Sequence, residues 1–398
     1  MNEQLNDILV RCHALAAQFA QTADQHDRDG TFSHENVRAM HEAGLHKLLV
    51  PREFGGMGQT MPAAVQVLRI IAQGDASTAL GYAMHLHKTG QLAEQQPWEA
   101  DKLARLWHDI VETGALINSA ESEPDMGSPS RGGLHRTTAT RTAGGYLING
   151  HKSWITFAPA LGYFFISATF DDNGEPRIGV FAVKGGSEGL TVLDNWGDAL
   201  SVRASGSCDV MLKNVFVPEH WHVQSRDPLP KTNTPSLPAG WSTLCYAAVY
   251  LGVGEAALHA LSAYAKHRIP TALGKPIATL PHIQRAIGQM AVTLRAARTV
   301  LNDVAEQWDS QPDQRMSMAA DIAAAKYLCT NAAITSTDIA MRAAGANGLD
   351  RKLPLERLLR DARAGLMHPP QDEPALELMG RAALEITNYE LRITKEKG

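Results

Sequence analysis

The chain has 398 residues, of which 20% are charged, and a formal net charge of -5 at pH 7. This length accommodates two or three domains, and the acidic balance argues against a nucleic-acid partner, which usually requires a basic face. No apolar run approaches the roughly 20 residues that span a bilayer, so no membrane partner is expected. The N-terminus lacks the basic start and apolar core of a signal peptide, which predicts a cytoplasmic protein.

The cysteines and histidines give no pattern typical of a metal site. Four cysteines are scattered along the chain without a C-x-x-C pair, which predicts neither a disulfide framework nor a zinc ribbon. His85 and His87 lie two apart on a predicted helix and therefore point to different sides. His220 and His222 lie in a predicted loop without an obvious third ligand. We therefore expect no bound metal.

The first part of the chain, to about residue 112, is predicted to be helical. Apolar residues spaced three and four apart predict a helix capped by Ser33, and two more helices are predicted over residues 61–73 and 77–92. From about Gly114 the period changes from 3.6 to 2, which favours strands. Several short strands predict a small barrel or sandwich; they cover residues 135–140, 146–150, 162–167, 178–183, 190–193 and 208–217.

The last part of the chain is again helical. Residues 223–240 contain four prolines and are predicted to form a linker or long loop. From Trp241 onward, long Ala- and Leu-rich segments are typical of helices that pack into a bundle.

Four motifs occur in order along the chain: Glu42-Ala43-Gly44-Leu45 continuing to Gly58, Ser122-Glu123-Pro124 continuing to Ser128, Asn149-Gly150-His151-Lys152-Ser153-Trp154-Ile155-Thr156, and Glu356-Arg357-Leu358-Leu359-Arg360-Asp361-Ala362-Arg363. Together they resemble the acyl-CoA dehydrogenase superfamily, and the resemblance spans nearly the whole chain. It implies an α+β multidomain fold. The expected parts are an N-terminal α-helical domain (1–112), a central β-barrel or sandwich domain (113–222), a Pro-rich linker (223–240) and a C-terminal four-helix bundle (241–398).

The resemblance also implies a flavin cofactor, FAD with FMN as the alternative, between the β domain and the bundle. Trp154 would lie near the isoalloxazine ring, and Thr156 would bond toward its reactive nitrogen, because residues two apart on a strand share a side. Ser122, Gly127 and Ser128 would meet the pyrophosphate with hydroxyl and backbone N–H groups. The structural alternatives are a buried Trp beside a strand Thr, and a polar turn.

Two further cofactor contacts are implied for the C-terminal part. Arg268 matches an arginine that reaches a neighbouring subunit's cofactor phosphates, which implies a homotetramer or dimer. Gly345 begins an element that resembles one beside the adenosine, in which Arg342 replaces the family's glutamine and could contact phosphate. The alternatives are an arginine that offsets a helix dipole and a helix that ends at a glycine.

The catalytic base of the family has no counterpart in this chain. In most members a tyrosine and then a glutamate follow the fourth motif; here the tyrosine aligns with His368 and the glutamate with Pro369. Some relatives carry the base on an earlier helix, where this chain has Ser242. His368 is the candidate catalytic residue, since an imidazole suits proton transfer near neutral pH. Asp372 and Glu373 are alternatives, although acids in the first turn of a helix also satisfy its dipole.

Three functions remain open. The first is α,β-dehydrogenation of an acyl-CoA-type thioester with hydride transfer to FAD and an electron-transfer partner. The second is a two-component monooxygenase, supplied by a flavin reductase, that acts on a nitrogen, sulfur or aromatic substrate through a flavin hydroperoxide. There a histidine would manage the peroxide proton, with His368, His85 and His87 as candidates. The third is a flavin-free scaffold.

Overall fold

The structure is a computed structural model that describes residues 3–126, 133–228 and 237–386. The chain divides into two compact units, Met1–Thr234 and Pro235–Gly398. The N-terminal helices and the sheet therefore belong to the same unit. The fold class is the predicted one: helices, then a sheet, then helices.

The first unit begins with helices. In the described residues these are α1 (Glu3–Phe19), α2 (Ala23–Asp29), α3 (His34–Glu42), α4 (Met61–Gly74), α5 (Ala76–Gln95) and α6 (Ala100–Thr113). The predicted cap is confirmed, because the Ser33 hydroxyl accepts a hydrogen bond from the Asn36 amide. Asp75 caps α5 in the same way, bonding the amides of Ser77 and Thr78.

The strands of the first unit form one sheet. They are β1 (Leu116–Ala120), β2 (Thr138–Thr142), β3 (Gly145–Ile155), β4 (Leu161–Asp172), β5 (Glu175–Lys184), β6 (Leu190–Leu193), β7 (Cys208–Pro218) and β8 (His222–Arg226). The order is β6-β7-β3-β2-β4-β5-β8, and β1 pairs in parallel with β4. Trp107 of α6, Ile117 of β1 and Phe165 of β4 belong to one buried cluster, so helices and sheet share a core.

Two strands correct the sequence prediction. β1 is short, and its first three residues are all buried. It therefore lacks the alternation of apolar and polar residues, as is usual for a parallel strand covered on both faces. β8 pairs with β5 at the end of the sheet, so residues 223–226 are not part of a loop. Its residues are mostly polar because an edge strand is partly exposed, and the polar composition resembled that of a linker.

The second unit is helical. Its described helices are α7 (Gly240–His267), α8 (Pro281–Ser310), α9 (Ala319–Ala344), α10 (Leu355–Met367) and α11 (Asp372–Ala383). α9 packs against α7, α8, α10 and α11. By length and composition α7 could cross a membrane, but 83% of its most apolar window is buried inside the protein, as in a core helix.

Candidate functional site

The end of β3 carries an exposed indole on an unusual backbone. Trp154 lies where the pairing of β3 with β7 shifts register, has φ 60°, and is 62% exposed. Asp209 on β7 holds this bulge: its carboxylate accepts bonds from the Trp154 amide at 3.4 Å and from His151 Nε2 at 2.8 Å. A non-glycine residue in this conformation persists only where its surroundings impose it, and such residues concentrate at functional sites.

Thr156 follows the end of β3 and is buried. Its hydroxyl lies 2.9 Å from Ser207 Oγ, which lies 2.7 Å from Ser205 Oγ, and its carbonyl accepts a bond from Asn118 Nδ2. The bulge interrupts the two-residue alternation on which the shared side of Trp154 and Thr156 was predicted. The structure therefore presents the indole outward and keeps the hydroxyl in a chain of three hydroxyl groups.

A buried ion pair connects this segment to the loop after β1. Lys152 is fully buried, and its Nζ donates to Glu123 Oε1 at 2.7 Å and to His135 Nδ1 at 3.3 Å. Glu123 also accepts from the amides of Arg136 and Thr137. The Ser153 amide donates to the Ser122 carbonyl at 3.0 Å, so the second and third motifs are adjacent. Gly127 and Ser128 lie outside the described residues.

The charges of this pair follow from burial and hydrogen bonding. Burial alone would raise the pKa of Glu123, but the bonds from Lys152 and Thr137 lower it to about 2. Burial lowers the pKa of Lys152 to about 8, even though Glu123 stabilises its ammonium. Both groups are thus charged at neutral pH. Sequence reasoning did not single out this pair, although both residues lie inside quoted motifs.

In the second unit, three predicted cofactor residues lie at helix ends. Arg268 is exposed just after α7, and its carbonyl accepts from the Ile277 amide, which closes the intervening loop. Arg342 is paired with Asp338 one turn earlier at 2.8 Å, and α9 ends at Gly345 with φ 62°. Ala343 packs on the apolar cluster that includes Ala265 and Ile277, so the two helix ends are neighbours. The structural alternative for Arg342 and Gly345 is thus present, and their cofactor role stays a prediction.

His368 follows α10 and lies against two tyrosines of α7. Its Nδ1 is 2.8 Å from the Tyr250 hydroxyl, and its ring stacks on Tyr246 at 4.6 Å between centroids. Burial raises the pKa of Tyr250 well above its ordinary value, so the phenol keeps its proton and needs an acceptor. We assign Nδ1 as that acceptor, which places the ring proton on Nε2. Burial, assisted by the charge of Lys326, lowers the pKa of His368 to about 4.

The other candidate groups for proton transfer are largely engaged. On α7, Glu255 pairs with Arg298 at 3.2 Å, and the Ser242 hydroxyl donates to the Ala239 carbonyl. On α10, Glu356 pairs with Arg360. Asp372, in the first turn of α11, accepts from Asn331 through Oδ2.

The histidines of α5 have a structural setting. His85 Nε2 donates to the His46 carbonyl at 2.7 Å, and its Nδ1 accepts from the Ile117 amide at 3.2 Å. Burial lowers the pKa of His85 to about 4, consistent with a neutral ring that joins α5 to β1. His87 is also buried. Within the described ranges, no group of three His, Cys, Asp or Glu side chains could hold a metal ion.

Comparison with known proteins places the chain in a family. Models of the N-terminal, middle and C-terminal domains of acyl-CoA dehydrogenase match residues 4–95, 119–215 and 244–372. A Bacillus subtilis protein named "Putative acyl-CoA dehydrogenase YdbM" is 35% identical over 96% of this chain and 98% of its own. The chain therefore belongs to the acyl-CoA dehydrogenase family.

Two other relatives bear on the reaction. Dibenzothiophene monooxygenase from Rhodococcus erythropolis is 28% identical over 92% of this chain and 90% of its own. The solved structure of KijD3 with FMN and a dTDP-linked amino sugar is 28% identical and has a TM-score of 0.80. It covers 98% of this chain and 97% of KijD3. The family thus includes both dehydrogenases and oxygenases among the relatives of this chain.

Proposed function

We propose that this protein is a flavin-dependent monooxygenase that receives reduced flavin from a reductase and oxygenates a small organic substrate. The observation that carries the proposal is the Tyr250–His368 pair, next to Pro369, which aligns with the carboxylate of a dehydrogenase of this family. The His368 imidazole, with a pKa of about 4, is a weak base and is poorly suited to removing a carbon-bound proton. Its Nε2–H is suited to donating a hydrogen bond to a developing negative charge.

The residues at the end of β3 fit a flavin. An exposed, flat indole offers a wall for the tricyclic ring, and the nearby Thr156 hydroxyl can reorient from Ser207 toward a polar edge. Bound flavin would supply the electrons and, when reduced, would react with molecular oxygen. Ser122, Gly127, Ser128, Arg268, Arg342 and Gly345 are proposed to hold its phosphate and adenosine portions, with Arg268 acting on the cofactor of a second copy.

The test supplies the purified chain with FMN or FAD, a flavin reductase, NADH and ¹⁸O₂. Indole and dibenzothiophene serve as probes because solved or curated relatives are named with them. We expect one ¹⁸O atom in the product with wild type and a loss of at least tenfold with H368A. The matched control is H267A, an exposed histidine at the end of α7, which should retain activity. Product without ¹⁸O, or full activity of H368A, would contradict the proposal.

The second candidate is acyl-CoA dehydrogenation, favoured by the relative that is 35% identical and by one observation at α11. Asp372 Oδ1 is buried and has no hydrogen-bond partner among the described residues, so this carboxylate retains a free acceptor. It lies four residues after His368 and could serve as the base.

The dehydrogenase alternative is tested by adding acyl-CoA esters of several chain lengths to the oxidised, flavin-loaded protein without oxygen. If an ester bleaches the flavin absorbance of the wild type but not of D372N, the dehydrogenase function is favoured over the monooxygenase function. Titration of the chain with FMN and FAD precedes both assays, since failure to bind either would leave the flavin-free scaffold.

A further inference from the structure

The interface between α9 and α10 places a lysine opposite His368. The two helices run antiparallel there: Arg363 Nη1 contacts Thr337 Oγ1 at 3.5 Å, and a Cβ added to Gly365 would lie 2.9 Å from Thr330 Cγ2. Lys326 lies one turn before Thr330 on α9 and His368 lies three residues after Gly365, and the charge of Lys326 acts on the His368 ring. The same Cβ would lie 2.9 Å from the Tyr250 ring, so the pair from α7 meets this interface as well.

Lys326 is fully buried, and its Nζ has no hydrogen-bond partner among residues 3–126, 133–228 and 237–386. One turn along α9, the buried Thr330 hydroxyl is also without a partner in that part of the chain, as is Asp372 Oδ1. Buried polar groups are nearly always hydrogen-bonded, and the exceptions call for an explanation. Lys326 and Thr330 are two such exceptions, one turn apart on α9, and Thr330 meets α10 at Gly365 beside the Tyr250 ring.

We propose that Lys326 is a positioning residue that acts through His368: its charge, presented from α9, keeps the imidazole neutral, while Tyr250 keeps the ring proton on Nε2. The proposal deepens the function given above and rests on His368 being part of that site. The charge state of the ring, however, can be measured without any reaction.

The groups around His368 support this arrangement. From neighbouring helices and its own, the described titratable groups are Tyr246 and Tyr250 of α7, Lys326 of α9, Asp361 of α10 and Asp372 of α11. Asp361 is paired with Arg357, and Asp372 acts on Lys326, whose pKa it raises in part against the lowering by burial. After burial, the positive charge of Lys326 is the main influence that lowers the pKa of His368.

The test follows each histidine by hydrogen–deuterium exchange at the carbon between its ring nitrogens, read by mass spectrometry on the full chain without flavin or substrate. The exchange rate depends on ring protonation and so gives a titration midpoint for each residue. Removing a like charge at close range should raise the His368 midpoint by about one pH unit or more in K326M. K326R should keep the wild-type midpoint, and K352M, which removes an exposed lysine, should leave it unchanged.

An unchanged His368 midpoint in folded K326M would overturn the proposal, as would an equal shift in K352M. If K326M does not fold, K326Q removes the same charge with a polar side chain and is judged by the same criterion. In the active enzyme, K326M should move the acidic limb of the kcat/KM profile to higher pH. Absence of oxygenation in wild type would count against the proposed function and leave the titration result standing.

Discussion

Two lysines are buried in the described part of the chain, and they differ in their hydrogen-bond partners. Lys152 and Lys326 are both fully shielded from solvent. Lys152 has a carboxylate, an imidazole and a carbonyl within 3.4 Å, whereas the Nζ of Lys326 has no hydrogen-bond partner in the described parts of the chain and only the charge of Asp372 stabilises its ammonium. A buried charge with a complete set of partners stabilises one arrangement of the chain. A buried charge without them is costly, and its retention indicates a use elsewhere.

The largest expected effect on the free energy of unfolding comes from breaking the buried ion pair of Lys152 and Glu123. E123Q keeps the size of the side chain but leaves the Lys152 ammonium buried without a counter-charge, so the free energy of unfolding should fall by about 3–5 kcal/mol. Urea denaturation measures it. E219Q, which removes one partner of the exposed Arg141 pair, should cost less than about 1 kcal/mol. A comparable loss in the two variants would mean that burial does not set the difference.

Acid should weaken the fold through the neutral histidines beside the two lysines. Burial lowers the pKa values of His135 and His368 to about 4, against about 6.5 in the unfolded chain. Between pH 6.5 and 4 the unfolded chain therefore binds protons that the folded chain does not. Each such histidine makes the free energy of unfolding fall by about 1.4 kcal/mol per pH unit as the pH drops through this window.

Chemical denaturation at pH 7, 6 and 5 gives this slope. H135Q should reduce this slope by the contribution of one histidine, and H13Q, at an exposed histidine, should not change the slope. Equal stability at pH 7 and pH 5 would contradict the neutral state of these rings.

A smaller effect is expected at the hydroxyl that faces His368. Y250F removes the donor to Nδ1, which stabilises the neutral ring by roughly 1 kcal/mol, so the His368 midpoint should rise by less than one pH unit. Histidine exchange measures it against Y246F, which keeps the ring that stacks on the imidazole. A larger shift in Y246F than in Y250F would refute the assigned tautomer.

The smallest expected effect on the free energy of unfolding is that of replacing Lys326, the second buried lysine of the comparison. K326M removes a buried ammonium that makes no hydrogen bond in the described chain, so its free energy of unfolding should change much less than that of E123Q. Urea denaturation under the conditions used for E123Q measures it. A loss above about 2 kcal/mol in K326M would show that Lys326 supports the fold as Lys152 does.

The sequence predicts the elements with a clear period and misses those without one. Ser33 and the alternating residues of β3 to β7 carry local signals, whereas the polar β8 is defined by its pairing with β5. The motif around Trp154 and Thr156 identifies the candidate flavin segment. The bulge at Trp154 is set by Asp209, 55 residues away, and could not be predicted locally.

The same limit applies to the second unit. His368 is predictable as the residue beside the missing base, but the tautomer assigned to its ring depends on Tyr250, 118 positions earlier in the chain. Lys326 is an ordinary helix-forming residue in the sequence, and only the burial of its ammonium makes it unusual.

The conformation of Trp154 has a consequence for anyone who evolves this enzyme. Glycine adopts φ 60° without strain, so W154G should relieve roughly 1 kcal/mol in the free protein while deleting the indole. If Trp154 holds the flavin as proposed, a screen that rewards only heat resistance would therefore enrich variants that lose the cofactor. Directed evolution of this chain needs a simultaneous selection for cofactor retention, applied from the first round.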